Sequence, residues 1–183
     1  MTNLYLVRHA HSNYTSDELG RPLSKKGLTD AKIVTELLLN EEIDYVVSSP
    51  YKRAIQTIEE VAKSLNLEIM IEENFKERLL SLEPVEDFEN VISEVWKDFN
   101  QSWNGGESNN TAQKRGIEAI NNLLKNYSGK NIAIGTHGNM MVLIMNFFDK
   151  KYDFNFWNGL AMPDIYKLTF EGEALIEVNR IWS

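Results

Sequence analysis

The chain has 183 residues, 43% hydrophobic and 25% charged, with 19 Lys and Arg against 27 Asp and Glu and a formal charge of −8. That length and composition predict one globular domain rather than a disordered chain. The lack of any cysteine excludes disulfide scaffolds, thiolate metal sites and every thiol-nucleophile enzyme, the Cys-based phosphatases included.

In chain order, residues 4–7 (LYLV) are apolar at consecutive positions, as a strand buried on both faces should be. Ile33, Val34, Leu37 and Leu38 form a short helical stripe after Gly27. Residues 45–47 (YVV) repeat the strand pattern, and Ala54, Ile55, Ile58, Val61, Ala62 and Leu65 then fall on one helical face. Residues 67–71 read as another strand. Residues 83–106 are acidic and carry Phe88, Trp96, Phe99 and Trp103; they read as a helical insertion over one end of the sheet. Ile117, Ile120, Leu123, Leu124 and Tyr127 mark a helix before the strand at residues 132–134 (IAI). Residues 165–170 and 174–178 flank Glu171-Gly172-Glu173, a hairpin signal. Strands alternating with helices predict an α/β three-layer sandwich. Its central sheet is mainly parallel, with helices on both faces and the terminal hairpin at the edge.

The longest apolar stretch, from Met140 to Met145 and on to Phe148, falls far short of the ~20 residues that a membrane span needs. The start, MTNLYLVRHA, lacks the basic region of a signal peptide. A cytoplasmic protein with no membrane partner is the expectation. The acidic balance argues against nucleic acid, whose phosphates are held by excess Lys and Arg.

Three strand ends carry the chemistry. The first runs into Arg8-His9-Ala10-His11-Ser12, and strand C-termini are where ligands bind in open α/β sheets. The second runs into Ser48-Ser49-Pro50, with Ser49 as the expected N-cap and Pro50 as the first helical residue. Arg53 then sits in a first helical turn, where a cation opposes the dipole and calls for an anion. The third runs into Thr136-His137-Gly138 before another helix. Two of three histidines and two arginines at equivalent points of three βα units predict a shared phosphate-type pocket. Glu77 could overhang it, with Glu72, Glu73 and Glu83 as competitors that spacing alone does not separate. Gly105-Gly106 permits a tight turn before a helix that Glu107 or Ser108 caps. P-loop, GxGxxG, GxSxG, Asp-x-Asp and HExxH patterns are absent. His9-x-His11 with His137 is a weak alternative as a metal site.

These residues resemble the histidine phosphatase superfamily, the phosphoglycerate-mutase-like fold, along nearly the whole chain. Arg8-His9-Ala10 is similar to its Arg-His-Gly signature, residues 48–57 (SSPYKRAIQT) to its Ser-x-x-x-Arg-Ala-x-Gln-Thr helix start, and Thr136-His137-Gly138 to its Ser-His-Gly. Leu23-Ser24-Lys25-Lys26-Gly27-Leu28, and Gly106-Glu107-Ser108 with Arg115, also fit family positions. The resemblance implies His9 as a nucleophile forming a phosphohistidine, with Arg8, Arg53 and His137 holding phosphoryl oxygens and Glu77 as proton donor. It further implies substrate contacts from Ser12, Thr15, Arg21 and Gly138, with no metal and no cofactor. Ala10 departs from the usual Gly, Thr15 stands where many members have Asn, and His11 is an unusual neighbour.

The function so implied is metal-independent hydrolysis of a small phosphomonoester. Alternatives are a phosphohistidine or other protein phosphatase, a mutase-type phosphotransferase, and a non-catalytic phosphate binder. Phe154, Phe156 and Trp157 either form a homodimer interface or pack beside the sheet of a monomer. The acidity is compatible with an anionic substrate because it is local: residues 68–94 hold nine acids against two bases.

Overall fold

Neighbouring side chains of a strand leave opposite faces, so a run that is apolar at every position must be covered twice. In a computed structural model describing residues 1–183, β1 (Thr2–Arg8) meets that requirement. Leu4 and Leu6 enter one core with Ile132 and Ile134, while Tyr5 and Val7 enter a second with Val46, Ala133 and Ile165. The chain continues through α1 (Lys25–Leu39), β2 (Tyr45–Ser48), α2 (Lys52–Ser64), β3 (Ile69–Ile71) and a 3₁₀ turn (Glu73–Phe75). There follow α3 (Phe88–Lys97), α4 (Asn109–Asn126), β4 (Asn131–Thr136), α5 (Gly138–Phe148), α6 (Phe154–Asn158), β5 (Asp164–Glu171) and β6 (Ala174–Arg180).

The six strands form one sheet in the order β3-β2-β4-β1-β5-β6. The first four run parallel; β5 lies antiparallel on β1, and β6 pairs antiparallel with β5 at the edge. Val34, Leu38, Ile58 and Val61 of α1 and α2 cover one face. Ile92, Val95, Ile120 and Met141 of α3, α4 and α5 cover the other. The α/β sandwich with its terminal hairpin is therefore as the sequence predicts. Each such buried aliphatic side chain contributes about 1.5–3 kcal/mol. No helix is long and apolar enough to cross a membrane.

Local boundaries differ from the sequence reading. The N-cap of α2 is Tyr51, with no side-chain cap bond, not Ser49. The Ser49 amide instead donates to the Gly135 carbonyl at 2.9 Å, extending the β2–β4 pairing, and its hydroxyl is engaged elsewhere. On α1 the inward residues are Gly27, Ala31, Val34, Thr35 and Leu38, and Ile33 is exposed. β3 is shortened to the three residues that pair with Val46–Ser48. Within residues 83–106 the helix is confined to α3; the flanks are loops.

Candidate active site

Register brings the site together. Arg8 pairs with Thr136 and Ser48 with Gly135, so His9, Ser49 and His137 leave the sheet side by side. The His9 and His137 rings meet edge-on at 5.2 Å between centroids. His9 Nδ1 lies 2.8 Å from the Ala10 carbonyl. A carbonyl only accepts, so Nδ1 carries the proton and the lone pair sits on Nε2. Burial, opposed by that hydrogen bond and assisted by Arg53, Arg8 and Arg21, pushes the His9 pKa down to about 3. The imidazole is neutral at pH 7. Ala10 packs its methyl against Leu23 and Ala31 and donates its amide to Thr57 Oγ1 at 3.0 Å, so a Cβ is accommodated there.

His137 is fully buried, with Nε2 2.8 Å from Ser49 Oγ. That hydroxyl already accepts the Tyr51 amide at 3.3 Å, so its own hydrogen is free to go to Nε2. Nδ1 of the same ring is buried without a partner. Burial above all, then His9 and the arginines nearby, holds the His137 pKa well below the ordinary histidine range. Arg8 donates through Nη1 to the Ala161 and Leu160 carbonyls at 3.1 and 3.4 Å, and its Nε is buried without a partner. Its guanidinium lies over Gly138, where a Cβ would come within 3.0 Å of Nε. Arg21 Nε is likewise buried and unpartnered. An unmet buried donor costs about 1–3 kcal/mol, so donors gathered in this way require an acceptor.

A cavity of about 540 Å³ opens here, lined by five of the sequence candidates: His9, Ser12, Arg21, Arg53 and Glu77. Arg8, His137 and Gly138 are packed against its lining. Thr15 is not part of it: its hydroxyl donates to the Asp17 carbonyl at 3.1 Å and its carbonyl accepts Arg21 Nη2 at 3.1 Å, so it shapes the loop. His11 also turns away, with Nδ1 2.7 Å from the hydroxyl of Ser24, the N-cap of α1.

Arg53, 4% exposed in the first turn of α2, has found the anion that its position demands. Its Nη1 donates to the Glu18 carbonyl at 2.8 Å and Nη2 to Glu18 Oε2 at 3.1 Å. The Tyr51 ring lies 4.8 Å from its guanidinium carbon.

Glu77 is held by the start of α5. Oε1 accepts the amides of Arg78 and Met140 at 2.9 and 3.0 Å; Oε2 accepts the Asn139 amide at 3.1 Å and its Nδ2 at 3.4 Å. A carboxylate suits a helix N-terminus. Its competitors differ: Glu72 accepts the Asn74 amide at the 3₁₀ turn, and Glu83 lies on the cavity wall. Arg115 braces the Glu77 loop by donating to the carbonyls of Asn74, Lys76 and Glu77 at 2.7, 2.9 and 3.2 Å. The same guanidinium pairs with Glu107 at 2.8 and 2.9 Å, and Glu107 also accepts the Leu79 amide at 3.0 Å. Ser108 is therefore the cap of α4, and Glu107 a brace.

Sequence reasoning missed Glu18, Tyr51, Arg78 and Asn139. Arg78 is buried, donating to Asn109 Oδ1 and, at 3.4 Å, to Asn139 Oδ1, which also accepts Trp96 Nε1 at 3.1 Å. Adjacency to Glu77 and to His137-Gly138 was the available signal for two of them. Glu18 had none, because its partner Arg53 is 35 residues away.

Residues 4–179 match the histidine phosphatase superfamily (branch 1). A putative phosphoserine phosphatase 2 of Hydrogenobacter thermophilus is 25% identical, over 99% of this chain and 97% of its own length. By structure, an Entamoeba histolytica phosphoserine phosphatase solved with 3-phosphoglyceric acid is similar at a TM-score of 0.81 and 18% identity, covering 100% of this chain and 98% of that one. A mycobacterial glucosyl-3-phosphoglycerate phosphatase gives 0.78 and 18%, covering 98% and 97%. At that identity the structural likeness is one of fold. With its family match running from the first strand into the last, this chain belongs to the histidine phosphatase superfamily (branch 1), a family of phosphoric monoester hydrolases.

Proposed function

We propose that the chain hydrolyses a small phosphomonoester through a phosphohistidine on His9, with Glu77 as proton donor. The observation that carries this reading is the neutral His9, its proton on the far nitrogen, beside buried donors without acceptors on Arg8 and Arg21 and an unpartnered nitrogen on His137. His9 Nε2 attacks phosphorus while the ester P–O bond breaks, and Glu77 gives its proton to the departing alkoxide. A water then attacks the phosphohistidine, Glu77 takes a proton from it, and the P–N bond breaks to release inorganic phosphate and neutral His9. Arg8, Arg53 and His137 Nδ1 hold the equatorial oxygens, where planar guanidiniums match the spread charge better than lysine. These groups supply the electrostatic stabilisation, so the reading needs no metal or cofactor.

In this reading residues 1–183 act as one catalytic domain, and the loop and helix at 83–106 wall the site. Leu82, Glu83, Pro84, Val85, Phe88 and Ile92 line the cavity, which favours a small ester over a folded phosphoprotein. The relative named as a phosphoserine phosphatase supports the same size class. Hydrolysis of p-nitrophenyl phosphate is expected to persist in EDTA and to fall by at least about 10³-fold in His9→Ala. Phosphate label on wild-type protein should be acid-labile and lost with the same substitution. Turnover unchanged in His9→Ala would falsify the mechanism.

A further inference from the structure

The Glu18 carboxylate is hydrogen-bonded and ion-paired to Arg53 and Arg21 alone. Its side chain is 55% exposed, over Arg53 and Arg21 side chains that are 5% and 15% exposed. The arginines are anchored independently of it. Arg53 Nη1 is fixed by the Glu18 backbone carbonyl and its guanidinium faces the Tyr51 ring; Arg21 is fixed by the Thr15 carbonyl and faces the Tyr14 ring at 4.8 Å. Glu18 also lines the same cavity as His9. The carboxylate is thus the exposed partner of a preset pair of cations, on the wall of the cavity that His9 also lines.

We propose that Glu18 is a built-in competitor for the phosphoryl subsite. Its carboxylate occupies Arg53 and Arg21 in the resting enzyme, swings into solvent when a phosphoryl group binds, and returns as inorganic phosphate leaves. A dianion gains more from two cations than a single carboxylate does, so substrate displaces it. Each exposed ion pair of this kind is worth at most about 1 kcal/mol, so a dianion can displace the carboxylate from both arginines at a cost of the order of one tenfold step in affinity. Its return shields the cations from re-binding product. The proposal rests on the reading of the cavity as a phosphoryl site.

The test is calorimetric titration of inorganic phosphate into the wild type, Glu18→Gln and Glu18→Ala, with p-nitrophenyl phosphate kinetics on the same preparations. Phosphate Kd and KM are expected to fall about tenfold in both variants, a gain of about 1.4 kcal/mol, with stronger product inhibition. Unchanged or weaker phosphate binding in either variant, beside a wild type that binds phosphate and turns over, overturns the role of Glu18 alone. Absence of both binding and turnover in all three proteins overturns the phosphoryl-site reading, and the proposal with it.

Discussion

In the proposed mechanism His9 must be nucleophilic at neutral pH while standing among three arginines. Burial, aided by those cations, achieves this by holding the ring neutral, with a pKa pushed down to about 3. The same shift fixes a pH dependence of stability. As pH falls below about 6.5, the unfolded chain protonates this histidine while the folded chain does not, until about pH 3. Stability present above pH 6.5 is therefore lost on acidification, by up to about 1.4 kcal/mol per pH unit for each such histidine. His137 is shifted in the same direction. Urea unfolding between pH 6.5 and 5.5 should show this loss, and His9→Gln should remove its own share. Equal slopes in variant and wild type would contradict the neutral, buried state of His9. Glu77 makes a separate prediction: Glu77→Gln should slow alkyl phosphates about 10²–10⁴-fold, and p-nitrophenyl phosphate far less, because only the alkoxide needs the proton.

Glu77 is placed from two sides: the start of α5 holds its carboxylate and α4 holds its backbone. Arg115, from α4, spans three carbonyls of the loop before and at Glu77, and Glu107 ties Leu79 beyond it. Gly106 allows that closure, since a Cβ there would lie 2.2 Å from the Leu80 carbonyl oxygen. Arg115 is accordingly a positioning residue. Arg115→Met should lower kcat/KM for alkyl phosphates by about 100-fold, again with a much smaller effect on p-nitrophenyl phosphate. A purely structural role would lower both substrates alike. The helices and strands around this brace were legible where periodicity was strong, as in β1, α2 and α4. They were misjudged at their ends, where pairing partners decide: Ser49 continues the sheet because Gly135 accepts its amide, and no local rule anticipates that.

Across the whole molecule, one sheet separates two cores, and β4 at its centre serves both: Ile132 and Ile134 enter one, Ala133 the other. Ile134→Ala should destabilise the protein by about 2–5 kcal/mol in urea unfolding and leave KM nearly unchanged, since the residue lies one layer below the site. The acidic run at 68–94 carries most of the net −8 and still reaches the cavity, where its Glu77, Arg78 and Glu83 join Arg21 and Arg53 in the lining.

The sequence by itself determined the parallel α/β core and the three strand ends that carry Arg8-His9, Arg53 and His137, because strand burial and βα alternation are local patterns written in apolar spacing. Through family resemblance it also singled out Glu77 from its acidic neighbours. Only the tertiary structure decided which nitrogen of His9 carries the proton, that Thr15 and His11 turn away from the cavity, and that Glu18 rather than solvent meets Arg53. Those are contacts between residues far apart in the chain, whose energies depend on burial and on the partner's distance, quantities that spacing along a sequence does not contain.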